Sequence, residues 1–173
     1  MHRDKPTHQE RLAGISHHAV TQDLPRGKGS DGDDGEGEGS CAAFGFLRGI
    51  RDHALSVEFR FLDGNSVWFP YSWLGTWCYN PSEGLLLKFS GDLVYLVLIR
   101  GSNLDKPLNE VAIDLTHAGL QRHRVLWVRE MTLEDIEKVG DTGPTIDSIQ
   151  VMEFESHSAL KDWLDKTAPS FPH

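Results

Sequence analysis

At 173 residues and 19.4 kDa, with 39% hydrophobic and 25% charged residues, the chain has material for one modest domain and an additional tail, and too little for two. Its 17 basic and 26 acidic residues leave a formal net charge of −9, which disfavours broad electrostatic binding to phosphate backbones or anionic membrane surfaces. The longest wholly apolar run, Leu93 to Ile99, falls far below the roughly 20 residues a bilayer-spanning helix needs, so no membrane association is expected.

The amino end, Met1-His2-Arg3-Asp4-Lys5, is followed by no apolar stretch, so it reads as no secretory signal. Cys41 and Cys78 form no Cys-x-x-Cys pair and are expected to be reduced. A cytoplasmic location is the expectation. Residues 1–43 carry 5 basic and 8 acidic side chains and include Gly27 to Gly39, GKGSDGDDGEGEG, which has no apolar side chain. Such a segment cannot offset a backbone ordering entropy of roughly 1–2 kcal/mol per residue, so 1–43 is assigned as a disordered acidic, glycine-rich tail.

Two motif matches in that tail fail on context. Gly27-x-Gly29-x-x-Gly32 fits a dinucleotide-binding spacing, but no strand precedes it, and Asp31, Asp33 and Asp34 would repel phosphates. Asp31 and Asp33 suggest a calcium loop, yet Glu36 stands where that loop needs glycine, and Ala42 where it needs a carboxylate.

Residues 44–130, with 9 basic and 9 acidic side chains, read as an antiparallel β domain. Leu55, Val57, Phe59 and Phe61 alternate with polar neighbours, which is the period of a half-buried strand. Asp63-Gly64 marks a tight turn, and the same phase resumes at Val67, Phe69, Tyr71 and Trp73, predicting a hairpin. Pro70 cannot donate a ladder hydrogen bond, which places this second strand at an edge or a bend. Further strands are predicted at Leu85–Phe89, at Leu93–Ile99, at Val111–Leu115 and at Val125–Val128. The second of these is apolar in both phases and therefore central. Short strands without intervening helices point to a mainly β, α+β fold built on a small antiparallel β-barrel or a bent sheet.

Residues 131–168, with 3 basic and 9 acidic side chains, read as an α-β-α appendage packed on the β domain, and 169–173 as a C-terminal tail. Thr132 and Asp135 form a capping pair ahead of Leu133, Ile136 and Val139, with Gly140 as the stop. A strand is predicted around Ile149 to Phe154. A second helix follows, capped by Ser156 or Ser158, with Leu160, Trp163 and Leu164 on its packed stripe.

Six of the sixteen aromatic residues, Trp68, Phe69, Tyr71, Trp73, Trp77 and Tyr79, crowd into twelve positions. Such rings build either a core or a contact surface for bases or a protein partner. Alternation sends the odd-numbered ones inward and Trp68 outward, making Trp68 the leading contact residue, with Tyr71 also a candidate. No nucleophile elbow or phosphate-binding loop is present. The leading expectation is therefore a non-enzymatic binding or assembly module recognising a protein partner or itself through an aromatic edge. An enzyme or metal site assembled only in the fold, from Asp114, His117 and His123, is a further alternative; no cofactor is assigned.

Val97-Leu98-Ile99-Arg100-Gly101 resembles the second signature of Sm-like proteins, and Leu62-Asp63-Gly64 resembles the end of that family's first strand. The resemblance covers about residues 54–130. It implies a small barrel that binds RNA, with Arg100 and Gly101 lining a nucleotide pocket. The family's Asp-x-x-x-Asn element is matched only in part, by Asn80, and the connection from Leu104 to Val125 is longer than the family's.

Overall fold

A computed structural model describes residues 37–108, 111–167 and Phe171. In chain order the strands are β1 (Glu38–Ser40), β2 (Phe44–Leu47), β3 (Ser56–Arg60), β4 (Ser66–Pro70), β5 (Leu74–Asn80), β6 (Gly84–Ser90), β7 (Val94–Ser102), β8 (Val125–Arg129) and β9 (Thr145–Phe154). Helix α1 (Leu133–Val139) lies between β8 and β9, and α2 (His157–Thr167) follows β9. The strands form two sheets, β1-β2-β8-β3-β4 and β5-β6-β7-β9, and neither closes into a barrel. The fold is mainly β with a C-terminal helix.

The β3–β4 hairpin pairs Val57 with Phe69 and Phe59 with Val67, as period-two alternation predicts. The second strand does not continue to Trp73. After Pro70 the chain makes a 3-10 turn, Tyr71–Trp73, and re-emerges as β5 at the edge of the other sheet. Proline's fixed φ, here −60°, and missing N–H end one ladder and start the corner to the next.

Both inner faces share one core. Phe69 stacks on Phe89 with centroids 4.6 Å apart, and Phe59 sits 6.1 Å from each, so the first sheet is joined to the second through aromatic contact. Leu85, Leu87, Val97 and Ile99 complete that core. The other face of β6 and β7 carries Leu86, Leu96 and Leu98, which pack with Leu160 of α2 and with Phe171. That two-sided demand explains why β7 is apolar in both phases, and β7 is an interior strand as predicted.

The structure departs from the predicted organisation in four places. β3 and β8 pair in parallel, with Glu58 opposite Trp127. Val111–Leu115 is not a strand: Ile113, Asp114 and Leu115 are buried in succession, so alternation is absent, and the Asp114 carboxylate caps a short π-helix, Leu115–Leu120. The predicted tail at 1–36 lies outside the described residues, but Glu38–Ser40 form a strand and Ala43 is fully buried. The ring of Phe46 covers Gly39, and Arg124, just before β8, and Arg129, its last residue, donate to the carbonyls of Leu47, Arg48 and Ala42. These contacts dock a segment that has no apolar pattern of its own. Finally, β9 is no appendage strand, since it pairs with β7 along that strand's length, and Phe171 of the expected tail is buried. No described helix is long and apolar enough to cross a membrane.

Candidate functional site

The outer face of the first sheet carries an aromatic and charged row built by register. Gly45 pairs with Trp127, Trp127 with Glu58, and Glu58 with Trp68, so four strands place these residues side by side. Gly45 is needed there, because a Cβ would collide with the Trp127 indole. The Arg60 guanidinium lies over the Trp127 ring at 4.6 Å from its centroid and also bonds Glu58, through Nε at 2.8 Å and Nη2 at 2.7 Å. The pair is part-buried, with Arg60 the more exposed partner, and together with the indole contact it fixes the orientation of both groups on the sheet surface.

Trp68 ends the row. Its side chain is 59% exposed and stands on β4, the terminal strand of the sheet. Among the described strands none pairs with the outer side of β4, whose backbone groups therefore face outward. Leu55, which precedes β3 in the same hairpin, is also largely exposed. The Trp68 orientation agrees with alternation. Glu58, Arg60 and Trp127 are members of the site that sequence reasoning missed; alternation placed the first two outward, but their meeting with Trp127 depends on a parallel pairing that no local pattern encodes.

Tyr71 is not a contact residue. It is 4% exposed, its hydroxyl donates to the Val125 carbonyl at 2.8 Å, and its ring stacks on His123 at 4.4 Å. Burial pushes its hydroxyl well above the usual phenol range. Of the remaining clustered rings, Phe69 is core, while Trp73, Trp77 and Tyr79 are partly buried against it. Burial and the neighbouring Asp105 carboxylate, which accepts from the Tyr79 hydroxyl, push that phenol up to about 12.

Asn80, Arg100 and Gly101 lie on the second sheet, away from β4 in strand order. Asn80 pairs with Gly84, and a Cβ on Gly84 would lie 3.3 Å from the Arg100 Cα, so Asn80 and Arg100 flank Gly84 at one end of the sheet. The Asn80 side-chain oxygen accepts from the Ser82 amide at 3.0 Å, and Arg100 is exposed. Gly101 abuts the Thr145 carbonyl so closely that no side chain fits.

The Asp114, His117 and His123 trio separates by role. Asp114 accepts from the Thr116 hydroxyl at 2.7 Å and from the His117 and Ala118 amides at 2.6 and 3.1 Å, so its carboxylate is occupied as a helix cap. His117 meets Trp77 edge-on, whereas His123 lies between Tyr71 and His53. Among the described residues no group of three His, Cys, Asp or Glu side chains is placed to hold a metal ion.

No family model, curated protein or solved structure matches this chain. Function is therefore read from the geometry of the site.

Proposed function

We propose that this chain is a non-enzymatic recognition or assembly module that engages another protein chain, its own copy included, through the β4 edge and the outer face of the first sheet. The observation that carries this reading is Trp68, an exposed indole on an unpaired edge strand, beside a Trp127–Arg60–Glu58 cluster already held in place. Trp and Arg are the residues on which interface energy concentrates, and preorganised ones lose less side-chain entropy on binding. The open edge adds main-chain donors and acceptors for an incoming strand.

The test is Trp68→Ala in the full chain, followed by light scattering across concentration and by capture of any purified binding partner. Because Trp68 is exposed, stability should stay within about 0.5 kcal/mol of the parent while association weakens. Unchanged mass together with unchanged partner capture overturns the proposal. A second reading, RNA binding of the Sm-like kind, is favoured by Asn80 and Arg100 flanking Gly84 at one end of the second sheet. It predicts oligoribonucleotide affinity that falls steeply with salt and drops on Arg100→Gln; a flat, weak response removes it.

A further inference from the structure

Between α2 and the outer face of the second sheet lies a cleft of about 360 Å³, within the range of about 300–1,000 Å³ typical of small-molecule sites. Helix α2 turns one face toward it, with His157, Leu160, Lys161 and Leu164 at i, i+3, i+4 and i+7. Leu86 of β6 and Leu96 of β7 supply further apolar lining, and Lys88 comes from β6. Thr76 and Cys78 of β5 complete the lining.

The charge of this lining is selective. A chain of net charge −9 places two of its seven lysines around one cleft, and among the described residues no carboxylate lines it. The Lys88 stem passes over Gly75, where its Cε would stand 3.3 Å from a Cβ. Leu86, Leu96 and Leu160 form the buried wall of the cleft and Leu164 its half-buried side, so the lining suits an apolar chain better than a bare inorganic anion, and the two lysines favour an acidic headgroup over a neutral one.

We propose that the cleft binds a small amphipathic carboxylate, its chain against Leu86, Leu96, Leu160 and Leu164 and its headgroup between Lys88 and Lys161. At roughly 30 Å³ per non-hydrogen atom, 360 Å³ holds about a dozen such atoms, which makes decanoate a suitable probe. The site is independent of the Trp68 face, which belongs to the other sheet.

The experiment titrates the full chain with monomeric decanoate by calorimetry. In parallel, thiol labelling of Cys78 is followed in a Cys41→Ser background, under alkaline conditions because burial holds the Cys78 thiol above its usual range. Saturable one-to-one binding and slowed Cys78 labelling are expected. Decanol, decylamine and acetate should each bind at least about tenfold more weakly than decanoate, and Lys88→Gln with Lys161→Gln should weaken decanoate by about tenfold or more. The double variant should keep the parent's circular dichroism; if it does not fold, the comparison of probes on the parent chain decides. Equal affinity for decanol, or for acetate, overturns the proposal, as does binding without protection of Cys78. Attachment only to vesicles containing decanoate, with none to the monomer, would make the cleft a membrane contact and overturn it as well.

Discussion

Trp68 and Tyr71 stand three positions apart in one aromatic run and meet opposite environments. Trp68 occupies the outward phase of a strand and is largely exposed, whereas Tyr71 lies past Pro70, where the chain turns inward and its hydroxyl reaches the Val125 carbonyl. Composition alone treats the two alike; the corner separates them. The same corner shapes His123, held at φ +53° against the Tyr71 ring, with His53 6.3 Å away. Burial, and then His53, lower its pKa from the ordinary 6.5. The folded chain therefore resists a proton that the unfolded chain accepts, so this contribution to stability is complete above about pH 6.5 and is lost as pH falls toward the folded-state value. Thermal midpoints measured from about pH 7.5 to about 5.5 should decline in the parent and decline less in His123→Asn, a replacement that tolerates positive φ. Equal slopes would assign the acid loss to other groups.

Elements whose signals are local were legible. Helix α1 spans Leu133–Val139 with the Thr132 hydroxyl accepting from the Asp135 amide at 3.1 Å and Gly140 closing it at φ +65°, as its cap residues indicate. The β3–β4 hairpin and the two-faced β7 follow in the same way from alternation and from doubled apolarity. β1, β2 and β5 were not legible, because their pairing rests on partners elsewhere: Phe46 over Gly39, Arg129 on the Ala42 carbonyl, and a register irregularity where β5 joins β6. The β7–β9 ladder has its own irregularity, between Arg100 and Gly101, where Gly101 approaches the Thr145 backbone. Gly101→Ala should lower stability by about 1–3 kcal/mol, read as a lower urea midpoint, because the methyl meets backbone rather than a movable side chain. An unchanged midpoint would show that this bulge has slack.

For the molecule as a whole, the two sheets and the C-terminal elements form one interdependent structure. β9 covers the edge of β7, α2 and Phe171 cover Leu86, Leu96 and Leu98, and the Met131 amide donates to the Ile146 carbonyl at 2.9 Å, linking the segment after β8 to β9. A fragment ending at Glu130 would expose a nine-residue strand edge and an apolar sheet face together. Such a fragment should aggregate or lose cooperative unfolding, seen as absent near-ultraviolet dichroism and a broad denaturant transition. A sharp transition with native-like spectra would show that the β strands before residue 131 stand alone.

Taken by itself, the amino-acid order determined the strand character of the middle of the chain, the outward phase of Trp68, the bend at Pro70 and the bounds of α1, because each depends on neighbours within a few positions. Tertiary structure alone decided the open two-sheet arrangement, the parallel β3–β8 pairing that brings Trp127 beside Glu58, the burial of Tyr71, and the cleft beneath α2. Those features arise where distant segments meet, and side-chain periodicity carries a strand's inner and outer faces but not the identity of the strand that will lie alongside it.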